Sequence, residues 1–247
     1  MIKYIAALFL FTLAFSICYG GTIDPNIPDA KYIEYAEDFA YVGKLCGLYE
    51  DGTRFCASAV AIDDHHILTA AHVVKNSQSC VVYFKDKEFC LKSVIIHKDF
   101  ETKFGVADIA IGYSKESFDL EFYPALYNDE DEVGKVCSIS GYGITGTFTT
   151  GAMISDQKRR AGSNIIDNID EDMLICSPSK PHEHNRTSLE FFIASGDSGG
   201  GLFIGNRLAG INSCVMAVDR SPSSKYNEES GHTRISKFIT WINEHRK

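Results

Sequence analysis

Ser195-Gly196-Asp197-Ser198-Gly199-Gly200 is the stretch on which the reading of this chain turns. Its glycines open backbone conformations closed to other residues and let neighbouring amide groups converge. Taken alone, a serine in such a run is a loop residue. Outward from it, Gly201-Leu202-Phe203-Ile204-Gly205 and the run from Arg207 to Val215 are short, apolar and punctuated by Gly or Asn. Earlier runs share that character: Cys80 to Phe84, Ser93 to His97 and Val136 to Ser140. All of these read as strands. One helix stands out at the end, where Phe238, Trp241 and Ile242 recur at helical spacing after Ser236. A many-stranded chain with a terminal helix implies a barrel or a sandwich.

The chain has 247 residues, 45% of them hydrophobic, enough for one domain or two small barrels. Its net charge of -9 argues against nucleic acid as a partner, since phosphate binding needs a basic footprint. The acidic run Asp129-Glu130-Asp131-Glu132 reads as a solvated loop. At the start, Lys3 precedes an apolar run from Ile5 to Cys18 and then Gly20 and Gly21. That layout marks residues 1–20 as a secretory signal peptide, cut near Gly20-Gly21. About fourteen apolar residues are too few to span a bilayer. The expected product is a secreted, extracellular or periplasmic monomer with no membrane attachment.

Export changes how the cysteines read, because seven remain once Cys18 leaves and an oxidising compartment favours pairing. Cys46 and Cys56 flank Glu50-Asp51-Gly52, and Cys80 and Cys90 flank Lys85-Asp86-Lys87 at the same separation. Hairpins folding at those turns put each pair on facing strands, so bridges Cys46–Cys56 and Cys80–Cys90 are expected. No CxxC or HxxxH element is present, so no metal and no cofactor is expected. Asn185-Arg186-Thr187 is a glycosylation sequon.

Two further segments carry chemistry: Leu68-Thr69-Ala70-Ala71-His72 and Ala107-Asp108-Ile109-Ala110. A serine hydroxyl needs a base to remove its proton during attack, and a histidine with an ordinary pKa of about 6.5 can accept and return one near neutrality. A carboxylate on the other ring nitrogen would fix the tautomer. Singly, His72 reads as a buried structural histidine and Asp108 as a strand-edge turn residue.

In this order, with Gly141-Tyr142-Gly143, Leu208 to Ile211 and Thr233 to Ser236 before Trp241-Ile242, the segments resemble the trypsin/chymotrypsin family from about Val42 to Ile242. The resemblance implies an all-β fold of two six-stranded antiparallel barrels, at about 32–118 and 133–235, with a terminal helix near 236–245. It implies a serine endopeptidase acting on protein or peptide substrates and met by protein inhibitors. Its triad would be His72, Asp108 and Ser198, and its oxyanion hole the N–H groups of Gly196 and Ser198. Two other readings remain. Gly196 to Gly200 also fits the GxSxG elbow of α/β-hydrolases, with Asp219 and His232 as acid and base, although only 49 residues follow Ser198 and the strand–helix alternation is missing. The chain could also be a non-catalytic homologue that binds proteins.

Departures from the family pattern are informative. Val73, Ile204 and Ala194 stand where relatives carry bridging cysteines, which points to a distant branch, microbial or viral. No Ile-Val-Gly-Gly start precedes Val42 to supply the amine that pairs with the aspartate before the serine, here Asp197. Signal removal, a cut near Lys31-Tyr32, or another group would have to take that part. Phe192 stands at the floor of the specificity pocket, where trypsin-like enzymes carry Asp, so cleavage after Lys or Arg is not expected. Val215 narrows a wall. Asn212, Ser213, Ser230 and His232 complete the substrate-binding set, recognising Gln, Glu or a small polar side chain, or else satisfying one another behind a shallow apolar pocket.

Overall fold

The computed structural model describes residues 21–100, 106–154, 156–184 and 186–246. The signal-peptide segment and the sequon residue Asn185 lie outside them. Strand β1 (Thr22–Ile23) and helix α1 (Asp29–Ala36) lead into β2 (Val42–Tyr49), β3 (Arg54–Ala61), β4 (His66–Thr69), the single turn α2 (Ala71–Val74), β5 (Ser77–Phe84), β6 (Lys87–Ile96) and β7 (Ala110–Ser114). Strands β2-β3-β4-β7-β6-β5 close into a barrel. Val42, Leu45, Val60, Ile67, Leu68 and Val82 on these strands are fully buried in one apolar cluster.

The second half holds β8 (Ala125–Leu126), β9 (Val136–Gly141), β10 (Thr145–Thr147), β11 (Gly151–Ile154), β12 (Arg160–Ile165), β13 (Asn168–Asp170), β14 (Met173–Cys176), β15 (Phe191–Phe192), β16 (Gly201–Ile204), β17 (Arg207–Met216) and β18 (Glu229–Arg234). Strands β12-β9-β16-β17-β18-β14-β13 form one sheet, with β8 against β17. The expected all-β architecture with a terminal helix is thus present, one half as a closed barrel and the other as an eight-stranded sheet. The chain ends in a 3-10 turn (Ile235–Lys237) and α3 (Ile239–His245), whose Ile242 is buried. Among the described residues no helix is long and apolar enough to cross a membrane.

The two hairpins expected to carry disulfides differ. Cys46 faces Cys56 in register, and the two are bonded. Cys80 and Cys90 are free thiols, so the second expected bridge is corrected. Here the turn is the residue pair Lys85-Asp86, which sets Phe84 opposite Lys87 and Val81 opposite Cys90. Cys80 is therefore one residue out of step with Cys90, and an offset of one sends side chains to opposite faces. Cys80 is buried and Cys90 exposed. Iodoacetamide on the native protein should label Cys90 and spare Cys80; mass spectrometry showing both protected would mean the bridge exists.

A short additional sheet matters most for the site. Strand β1 lies between β10, which it meets in parallel (Thr22 opposite Gly146), and β15, which it meets antiparallel (Thr22 opposite Phe192). Ion pairs hold the following segment down. Arg186 pairs with buried Asp24, and the buried guanidinium of Arg160 forks onto Asp29 at 2.6 and 2.7 Å.

Candidate active site

His72 lies in α2, just past the end of β4, and Asp108 lies on the turn into β7, so the pairing of these strands brings the two together. Ala107 takes a left-handed conformation (φ 49°), and Ile109 N–H closes back onto its carbonyl at 2.8 Å, aiming Asp108 inward. The Asp108 carboxylate accepts from His72 Nδ1 at 2.7 Å, from the His72 backbone N–H at 2.9 Å and from Ser213 Oγ at 2.6 Å. Burial pushes this carboxyl up, but the bonds and charge from His72 and the Ser213 bond outweigh it and hold the group below its ordinary range. Because the ionised carboxylate can only accept, Nδ1 carries a proton and the Nε2 lone pair is directed at Ser198 Oγ, 3.1 Å away. Asp108 is sealed from solvent, whereas the His72 ring is 43% exposed, so a reactant can reach the nitrogen that faces the serine.

The serine loop is held from the other half of the molecule. Ser58 N–H donates to the Ser198 carbonyl at 2.9 Å, and Ser58 Oγ donates to the Gly196 carbonyl at 2.9 Å. Nothing in a serine within an apolar strand signals this clamp, and sequence reasoning missed it. Gly199 has φ 83°, and a Cβ there would sit 2.1 Å from Thr69 Oγ1 and 2.2 Å from the Ser58 carbonyl, so no other residue fits. Among the described residues neither the Gly196 nor the Ser198 amide donates a hydrogen bond. Both lie on the turn that presents Ser198.

Asp197 is fully buried and accepts from Gly143 N–H at 2.7 Å, Ala194 N–H at 2.8 Å and Gly21 N–H at 2.8 Å. Burial pushes its carboxyl up to about 6, against the pull of those three amides. Gly21, the residue after the expected signal-peptide cut, is thus one of the three partners of this carboxylate. It begins the Gly21-Thr22-Ile23 segment that β10 and β15 enclose. Here a side chain is excluded: a Cβ on Gly21 would lie 2.1 Å from the Phe191 ring.

The remaining predicted residues fall into two groups. Ser213 bonds to Asp108, as above, and Val215 is half-buried. Phe192, Asn212, Ser230 and His232 are completely buried. Asn212 Nδ2 donates to the carbonyls of Ser140 and Asp197, both at 3.2 Å, leaving its Oδ1 to accept from His232 Nδ1 at 2.9 Å. Burial pushes His232 down to about 3, so the ring is neutral and Nε2 accepts from Ser230 Oγ at 3.0 Å. Each of these polar side chains thus has partners inside the fold, Ser230 Oγ also reaching the Cys176 carbonyl at 3.1 Å. Asp219, the acid of the α/β-hydrolase alternative, caps its own turn at Ser221 N–H, and His232 faces Asn212 and Ser230, not Ser198.

Residues 41–242 match the family model described as Trypsin. A curated relative, Serine protease SSP1 of Scolopendra subspinipes, is 26% identical, with 86% of this chain and 81% of that protein covered. Among solved structures, neuropsin, a serine protease from mouse brain, superposes with TM-score 0.67 at 22% identity, covering 85% of this chain and 95% of that one. A scabies mite inactivated protease paralogue superposes at 0.62 and 15% identity, covering 83% and 93%. At such identities superposition speaks for the fold alone, and that fold carries an inactivated relative as well. The family match spans most of the chain, and the chain belongs to the trypsin family of serine proteases.

Proposed function

We propose that this protein is a secreted endopeptidase that hydrolyses peptide bonds through Ser198, His72 and Asp108. The observation that carries the reading is the single imidazole bridging a buried carboxylate at 2.7 Å and a serine hydroxyl at 3.1 Å. Ser198 Oγ attacks the scissile carbonyl carbon as its proton passes to His72 Nε2. The imidazolium so formed is stabilised by Asp108, which keeps its charge. The carbonyl oxygen becomes an oxyanion received by the Gly196 and Ser198 amides, each such donor contributing about 3–4 kcal/mol to the transition state. His72 then protonates the leaving amine, and a water deprotonated by the same nitrogen cleaves the acyl-enzyme.

An active-site titrant that releases a chromophore on acylation tests this. One equivalent released in a burst from wild type, and none from Ser198→Ala, is the expected result. No burst from the correctly processed chain would instead leave a non-catalytic homologue that binds proteins.

Within this reading the amine of Gly21, freed when the signal peptide is removed, is the cation that neutralises Asp197. The contact at 2.8 Å and the absence of room for a side chain support Gly21 over a later cut near Lys31. The pocket takes small aliphatic side chains, because Val215 narrows it, Phe192 supplies no charge, and Asn212, Ser230 and His232 are occupied with each other. Val215→Gly should raise kcat/KM for substrates with Leu or Phe before the scissile bond by about 10- to 100-fold over Ala, the range that one pocket contact commands. A substrate-library profile of wild type dominated by Lys or Arg would refute the assignment.

A further inference from the structure

A cavity of about 540 Å³ opens on the outside of the closed barrel, between the chain after α1, the β5–β6 turn and the segment leaving β7. None of His72, Asp108 and Ser198 lines it. Its floor is aromatic and aliphatic: buried Tyr41, Phe84 and Phe118, half-buried Leu120, and Phe122, which is 44% exposed. Ring contacts preset this floor, with Phe84 and Phe118 centroids 5.0 Å apart and Tyr41 and Phe122 centroids 5.6 Å apart. Tyr123 ties the segment down from behind, its hydroxyl accepting from Leu120 N–H at 3.1 Å and donating to Asp64 at 2.7 Å.

The rim is charged, and unevenly. Glu37, Asp38, Asp86, Asp119 and Glu121 line the cavity against two ammonium groups, Lys85 and Lys87. None of these carboxylates takes part in an ion pair among the described residues, and all five residues are exposed. The acidic run from 129 to 132 differs, because Glu130, Glu132, Asp129 and Asp131 pair with Lys237, Arg234, Arg207 and Lys135. Apolar floor with unneutralised carboxylates above it is the complement of a peptide with arginine or lysine flanking an aliphatic or aromatic anchor. The anchor would gain from burial, and the rim would steer the cations and oppose acidic segments.

We propose that this groove is a docking site, separate from the catalytic cleft, for a basic peptide segment of another protein that carries one large apolar anchor. Its preset floor lowers the ordering cost of binding, since little of the site must be fixed on contact. The inference does not depend on the catalytic reading, because the groove shares no residue with that site.

The test is fluorescence anisotropy with the full processed chain carrying Ser198→Ala, so that the probe is not hydrolysed. The probe is a labelled peptide of four arginines around one central Phe; its control has each arginine replaced by citrulline. Saturable binding is expected, weakening by about tenfold or more between 20 and 300 mM salt, as exposed charges are screened. The control should bind about tenfold more weakly, and Asp38→Lys with Glu121→Lys should lose a similar factor. Phe122→Ser should weaken binding with no change in salt slope. Those groove variants should keep the thermal midpoint of their Ser198→Ala parent, which separates loss of docking from loss of fold.

No saturable binding, equal binding of the citrulline peptide, or binding untouched by the groove variants each overturns the proposal, the last by placing the peptide elsewhere. A chain that sediments as a dimer through this face and excludes the probe overturns it too, assigning the groove to a second copy.

Discussion

Ser198→Ala should reduce kcat by about 10⁶-fold on a peptide substrate, while the thermal midpoint stays within a degree or two of wild type. Among the described residues the hydroxyl makes two hydrogen bonds, to His72 Nε2 at 3.1 Å and to the Ser213 carbonyl at 3.4 Å, so its loss removes chemistry and little stability. His72→Ala should cost a comparable factor, and the double variant scarcely more than either single one, because the two act as a unit. Asp108→Asn should cost about 10⁴-fold, since an amide could present its NH₂ to Nδ1 and reverse the tautomer. A fall of less than about tenfold in Ser198→Ala would show that the hydroxyl is not the nucleophile.

The second large effect concerns Gly21. Gly21→Ile should lower kcat/KM by about 10²- to 10³-fold, as would Asp197→Ala, because either breaks a buried pair at a cost of about 3–5 kcal/mol. The reason differs in the two cases. An isoleucine cannot enter, since even a Cβ meets the Phe191 ring at 2.1 Å. Alanine at 197 leaves the amine, and the amides of Gly143 and Ala194, without an acceptor. Pairing Gly21→Ala with Phe191→Ala should recover part of the loss, which identifies the ring as the obstacle.

The same carboxyl makes a pH statement. With the signal peptide attached, Gly21 offers one amide and no charge, and Asp197 rises from an unfolded value of 3.8 to about 6. A raised acid favours the folded state while protonated, so the uncut chain should lose about 3 kcal/mol of stability as pH climbs from 3.8 through 6. A chain beginning at Gly21 gains an ammonium against the carboxylate and should not show that loss. Denaturant midpoints at pH 4 and pH 7, compared between cut and uncut Ser198→Ala, read the difference directly. Identical pH dependence in the two forms would exclude the amine as partner.

Much of this molecule is written locally. Strands such as Val136–Gly141 and Gly201–Ile204 show in the sequence because alternation and β-branching depend on near neighbours. The Cys46–Cys56 bridge followed from a turn centred on one residue between them, so that equal arms face each other. Equal spacing misled for Cys80 and Cys90, because a two-residue turn has no central residue and the arms pair one step off. The terminal helix starts at Ile239, after a 3-10 turn, where periodicity alone put it near Ser236.

Site residues divide along the same line. The sequence by itself pointed to the kind of chemistry, because a histidine, an aspartate and a serine among glycines, in that order, carry the resemblance to the trypsin family. Only the tertiary structure decided what each one touches. Ser213 stands 105 positions from the carboxylate it bonds, Ser58 stands 138 from the Gly196 carbonyl, and Gly21 stands 176 from Asp197. His232 and Asn212 became each other's partners because both lie inside a sheet that leaves them no water. Backbone preference and hydrophobic period are properties of a short window of chain, whereas a buried polar group takes whatever donor the closed fold brings within 3 Å, and that is settled only when distant strands meet.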